Sequence, residues 1–188
     1  MNPEAAARQI RLLLLDVDGV LTDGRLYYGN HGEELKAFHI QDGLGIKLLQ
    51  RQGIAVGIIT GRTSKLLERR TAELGIELVI QGREDKSNAL NEMLKTHPLP
   101  LEQIAFMGDD LPDLPVMARV GLALTVANCS TTVAHHAHWQ ATRGGGEGAV
   151  REAAEFILAA QGKLDAALAS YLAGYSNKDR NGSVESHP

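Results

Sequence analysis

The sequence predicts an α/β fold built on a parallel sheet. Two observations carry this. Short apolar runs alternate with longer stretches of helical spacing, the signature of strands joined by helical crossovers. Several of the runs also stop abruptly at carboxylates or a hydroxyl, as strands do when their C-terminal ends form a ligand crevice. A chain of 188 residues, 44% of them hydrophobic, can bury a substantial core without cross-links. One domain is expected over 1–175, and the polar stretch 176–188 is expected to be a disordered tail.

The elements follow in order. Four leucines, Leu12 to Leu15, read as a strand buried on both faces. Residues 25–28 and 34–38 flank Gly29-Asn30-His31-Gly32, which reads as a hairpin tip. The spacing predicts a helix over 42–52 with Gly53 as its stop. A buried strand is expected over 54–59, a helix over 64–74 closed by Gly75, and a short strand over 78–80. Then come a helix over 86–95, a strand over 104–107, a short helix over 113–120, a strand over 121–125 and a long helical region over 149–172. Gly144 to Gly148 form the one glycine cluster, either a flexible connector or a loop that touches substrate. It lacks the spacing and the Lys-Ser/Thr pair of a phosphate-cradling loop.

Composition excludes several classes. The net charge is −4 and no basic block occurs, which argues against nucleic acid as a partner. No apolar run approaches membrane-spanning length, and residues 1–11 lack the features of a signal peptide. Cys129 is the only cysteine, so no internal disulfide can form, and a cytoplasmic setting is the simplest inference. His135, His136 and His138 match no metal-ligand spacing and read as a surface turn.

The chemistry is concentrated at the ends of the runs. Leu12–Leu15 breaks into Asp16-Val17-Asp18-Gly19. Two carboxylates so close repel unless a cation or a shared proton relieves them, and a hard ion such as Mg²⁺ suits oxygen ligands. The second strand ends in Thr60-Gly61-Arg62, and a later one in Gly108-Asp109-Asp110 with Asp113 following. Lys86 opens a helix between them. Each is weak alone: Thr60 can merely cap a helix, and Asp109 can merely form a turn. Together they place acids, a hydroxyl and a cation at one end of a parallel sheet.

Asp-x-Asp-Gly-Val-x-Thr-Asp-Gly, followed by Thr-Gly-Arg, Lys86 and Gly-Asp-Asp-x-x-Asp, resembles the haloacid dehalogenase superfamily of phosphotransferases. Three further stretches resemble its small capless sugar-acid phosphatases. They are Gly29-Asn30-x-Gly-Glu33-Glu34-Leu-Lys-Ala-Phe38, Asp42-Gly43-Leu-Gly45-Ile, and Arg143-x-Gly145-Gly146-x-Gly148-Ala-Val-Arg151-Glu152. Val17 departs from the residue often found between the two aspartates.

The resemblance implies a Rossmann-like parallel sheet flanked by helices, with a β-hairpin flap in place of a cap domain. It implies a Mg²⁺-dependent phosphatase acting on 3-deoxy-D-manno-octulosonate 8-phosphate in lipopolysaccharide synthesis. Asp16 is then the nucleophile and Asp18 the general acid and base. Thr60 and Lys86 act on the transferring phosphoryl group, and Asp16, Asp18 (through its carbonyl) and Asp109 hold the metal. Asp110 and Asp113 orient this set. Gly61, Arg62, Asp42 and Arg143 are candidate substrate contacts, the two arginines because a guanidinium fork suits a carboxylate. The resemblance also implies a homotetramer packed through its hairpins. Tyr27, Tyr28 and Phe38 are then interface residues or, alternatively, pack on their own domain. A nine-carbon sugar-acid phosphatase and a non-catalytic oligomerisation module remain as alternatives.

Overall fold

The computed structural model describes residues 2–30 and 34–172. Its centre is β1 (Leu12–Leu15), which pairs in parallel with β4 (Ala55–Ile59) on one side and β6 (Ile104–Gly108) on the other. The strands β5 (Leu78–Ile80), β7 (Leu122–Thr125) and β8 (Trp139–Gln140) complete a six-stranded sheet in the order β5-β4-β1-β6-β7-β8, every pair parallel. A separate antiparallel hairpin joins β2 (Tyr27–Tyr28) to β3 (Glu34–Leu35). The expected hairpin is therefore present with shorter strands, and half of its tip lies outside the described residues, as does the expected tail.

The four leucines of β1 are all fully buried, and strand alternation sends them to two different cores. Leu13 and Leu15 join Val56, Ile58, Met107 and Leu124 on one face. Leu12 and Leu14 join Ile59, Phe106 and Ala123 on the other. The first face is covered by α2 (Ile40–Arg51), α3 (Lys65–Leu74) and α7 (Ala149–Ala160), with α1 (Pro3–Ala7) packed on α7. The second is covered by α4 (Lys86–Thr96), α5 (Leu114–Met117) and α6 (Thr131–His136). Both faces of a parallel sheet are thus protected, which is why its strands can be uniformly apolar.

Several boundaries differ from the sequence reading. α5 is only four residues long because Leu111–Asp113 form a tight 3-10 turn ahead of it. The C-terminal helical region breaks into α7 and α8 (Leu164–Leu172), separated at Gly162, whose φ of +66° ends the first helix. β8 was not foreseen: its two residues pair only with Leu124 and Thr125. Trp139 in β8 stacks on Phe156 of α7 at 4.9 Å, anchoring this edge. His138 Nδ1 accepts a hydrogen bond from the Ala123 N–H at 2.9 Å, so it serves the sheet edge rather than a surface turn.

Candidate active site

Parallel strands deliver their C-terminal ends to one edge of the sheet, and the chemistry-bearing residues collect there. Asp16 follows β1 directly, and its N–H continues the ladder to the Met107 carbonyl at 3.0 Å. Thr60 follows β4 in the same way, donating to Ile80 O at 3.0 Å. Asp109 follows β6, and Lys86 is the first residue of α4. A cleft of about 390 Å³ is lined by Asp16, Asp18, Thr60, Gly61, Arg62, Glu84, Lys86, Asp109, Asp110, Pro112 and Asp113.

Lys86 is the electrostatic hub. It is 5% exposed, and its Nζ lies 2.6 Å from Asp113 Oδ1 and 2.8 Å from Asp16 Oδ1. Burial alone would pull its pKa down, but Asp16 and Asp113 outweigh it and hold the ammonium form. Asp113 is 1% exposed and uses its second oxygen to accept from the Asp109 and Asp110 N–H groups at 2.9 and 3.2 Å. One carboxylate therefore orients both the lysine and the loop that presents Asp109.

Asp16 and Asp109 are crowded. Burial, followed by the nearby Asp113 charge, pushes Asp16 up to about 6 despite Lys86. Burial, then Asp113 and Asp16, push Asp109 up to about 7. Asp16 Oδ1 is buried against the Lys86 ammonium at 2.8 Å. Carboxylate oxygens of Asp16, Asp109 and Asp113 lie within 4.8 Å of one another. An all-oxygen, charge-crowded set of carboxylates fits a hard divalent cation such as Mg²⁺. Asp113 joins this side-chain cluster whereas the Asp18 side chain does not; Asp18 was expected to contribute its carbonyl.

The chain turns sharply after Asp18. The N–H groups of Val20, Leu21 and Thr22 all point to the Val17 carbonyl, at 3.2, 2.9 and 3.1 Å. Gly19 has φ +94°, and a Cβ there would stand 2.0 Å from Asp109 Oδ2. Glycine is required on both counts. Asp18 itself faces the cleft between two cations. Lys36 Nζ is in ion-pair contact with its Oδ1, and Arg62 Nε lies 3.7 Å from its Oδ2.

Two expected substrate contacts are not brought to the cleft. Asp42 is 1% exposed, and its Oδ1 accepts from the Arg151 N–H at 2.8 Å, tying α2 to the first turn of α7. Arg143 lies beside the same helix ends, donating to Gln41 Oε1 at 3.0 Å and pairing with Glu152 at 3.8 Å. Both are diverted because α7 packs alongside α2 with the N-terminal ends of the two helices together. The glycine cluster is neither a loose connector nor part of the cleft lining. Gly146 N donates to Val20 O at 3.0 Å, and a Cβ on Gly145 would stand 1.8 Å from Gly19 O. It buttresses the turn behind Asp18. Phe38 packs on its own domain, whereas Tyr27 and Tyr28 are exposed.

In the sequence Lys36 stands out only as part of a motif, and Glu84 not as a site residue. A signal for Lys36 existed: alternation through Leu35 and Lys36 turns one outward and the next inward. Leu35 is 68% exposed, whereas the Lys36 side chain is 4% exposed.

Residues 79–151 match the family described as haloacid dehalogenase-like hydrolase. The 3-deoxy-D-manno-octulosonate 8-phosphate phosphatase of Yersinia pestis is 52% identical over 161 residues, 86% of either chain. The chain thus belongs to the haloacid dehalogenase-like hydrolases. Among solved structures, a probable YrbI family phosphatase from Pseudomonas syringae superposes with a TM-score of 0.90 at 50% identity, covering 93% of this chain and 99% of that one. The 3-deoxy-D-manno-octulosonate 8-phosphate phosphatase of Moraxella catarrhalis, in complex with magnesium ion, phosphate ion and KDO molecule, gives 0.87 at 43% identity over 89% and 97% of the two chains.

Proposed function

We propose that this protein is a Mg²⁺-dependent phosphatase that hydrolyses 3-deoxy-D-manno-octulosonate 8-phosphate to the free sugar acid and phosphate. The observation that carries the reading is the buried Asp16 carboxylate at the end of β1, paired with Lys86 and crowded by Asp109. Identity near half to phosphatases of that substrate supports the choice of sugar acid.

In this reading an Asp16 oxygen attacks phosphorus and the ester P–O bond breaks, giving an aspartyl-phosphate. Asp18 gives its proton to the departing alkoxide. It then takes a proton from water as that water attacks phosphorus, which releases phosphate and restores Asp16. Lys86 and the Thr60 hydroxyl face the charge on the transferring group. Asp16, Asp109 and the Asp18 carbonyl would hold Mg²⁺, which when bound screens the repulsion between anionic nucleophile and anionic phosphate. Asp113 keeps Lys86 and the Asp109 loop in place. Arg62 and Gly61, at the mouth of the cleft, meet the sugar-acid carboxylate.

Leu26, Tyr27, Tyr28, Leu35 and Ile40 are exposed apolar side chains on and beside the hairpin. They support a homotetramer assembled through the hairpins, since a patch of this kind is normally covered by a partner. Among the described residues no helix is long and apolar enough to cross a membrane, and a cytoplasmic setting is proposed on the single cysteine.

The test is phosphate release from a panel of sugar phosphates, with Mg²⁺ and with chelator. A metal-dependent preference for the eight-carbon acid is expected. Preference for a nine-carbon acid would replace the substrate, and no metal-dependent turnover on any ester would replace the enzyme with a non-catalytic module.

A further inference from the structure

We propose that Lys36 is a positioning residue for Asp18, delivered to the cleft by the hairpin. The proposal rests on the reading of Asp18 as general acid and base. The two oxygens of Asp18 are held from two different elements. Lys36, next after β3, contacts Oδ1, and Arg62, in the loop after β4, approaches Oδ2 at 3.7 Å. The two cations are not equivalent. Arg62 is 45% exposed at the mouth, whereas the Lys36 side chain is 4% exposed. An ammonium withdrawn that far from water needs hydrogen-bond acceptors, and Asp18 Oδ1 is one of them, which fixes that oxygen and leaves Oδ2 to carry the proton. The arrangement parallels the other half of the site, where α4 brings Lys86 to Asp16. Nucleophile and proton carrier thus each have a lysine from a separate element.

Position matters because a proton carrier works only within hydrogen-bond reach of the oxygen it serves. Every phosphate ester brings the same phosphoryl group. A lysine that merely attracted phosphate would therefore affect all esters alike. A lysine that places Asp18 matters most where the leaving oxygen needs a proton. The sugar-acid ester leaves as an alkoxide and needs one; p-nitrophenyl phosphate leaves as a stable phenolate and does not.

The experiment compares kcat/KM on these two substrates for the full-length, Mg²⁺-loaded protein and its variants. This ratio reports steps up to first departure, so the water-attack half-reaction drops out. For Lys36→Met, kcat/KM on the sugar-acid ester is expected to fall about 30-fold, and on the aryl ester less than about 3-fold, a fraction of what a general acid contributes. Lys36→Arg, which keeps the cation, is expected to stay within about 5-fold of the parent on both. Asp18→Asn should discriminate in the same sense and more strongly. Lys36→Gln is measured in parallel and serves as the readout if the Met variant does not fold. Equal losses on both esters, or none on either, overturn the proposal. If Asp18→Asn itself fails to discriminate, the acid-base reading of Asp18 falls and the proposal falls with it.

Discussion

Replacing Asp16 by Asn is expected to abolish turnover and at the same time stabilise the metal-free protein. Asp16 is 6% exposed, and burial together with Asp113 raises its carboxyl from 3.8 to about 6. The folded protein therefore holds this proton more tightly than the unfolded chain. The associated stability is complete below about pH 3.8 and is lost as pH rises through about 6. At neutral pH the ionised carboxylate thus destabilises the fold by about 3 kcal/mol, from 1.36 kcal/mol per pKa unit. Asn is nearly isosteric and carries no charge, so it removes that cost. Urea unfolding in chelator measures it directly. The variant should exceed the parent by up to about 3 kcal/mol near pH 7.5, and the gap should close as pH falls toward about 4. Adding Mg²⁺ should raise the midpoint of the parent and leave the variant unmoved. A variant less stable than the parent near neutrality, or a gap independent of pH, would refute the assignment of Asp16 as a strained, charge-crowded group.

Three further outcomes are expected. Asp42→Ala should destabilise by about 1–3 kcal/mol, because it leaves the Arg151 N–H at the start of α7 without its acceptor; KM for the sugar-acid ester should stay unchanged, and a large rise in KM would return Asp42 to the substrate site. Leu14→Ala should cost about 2–5 kcal/mol in urea unfolding, since Leu14 is fully buried; a loss under 1 kcal/mol, well short of that range, would mean the second core collapses around the gap. Gly145→Ala should lower kcat about 10-fold or more with secondary structure retained, because its Cβ would collide with Gly19 O behind Asp18; unchanged kcat, followed by circular dichroism and steady-state rates, would show that the turn absorbs the clash.

Much of the candidate site was legible in the sequence because several of its residues terminate an apolar run. A strand buried on both faces has to be apolar, so the first polar side chain after Leu15, Ile59 and Gly108 marks its exit. That rule located Asp16, Thr60 and Asp109, and the helix start located Lys86. It did not reach residues whose position depends on how helices pack. Asp42 and Arg143 lie in motifs that look chemical, but the packing of α7 alongside α2 turns Asp42 into a helix tie and holds Arg143 beside the same helix ends. The glycine cluster carried no periodicity, and only its contact with Gly19 explains why side chains are excluded there. Lys36 directly follows a two-residue strand, too short for alternation to stand out without knowing which face meets the cleft.

The central claim is that Asp16 carries the phosphoryl group. The most direct measurement is a rapid acid quench of the Mg²⁺-loaded protein with excess sugar-acid ester, followed by peptide mapping of hydroxylamine-sensitive phosphoryl label. Label is expected on the peptide bearing Asp16 in the parent, with neither label nor turnover in Asp16→Asn. Label on another residue, or turnover retained by that variant, would contradict it.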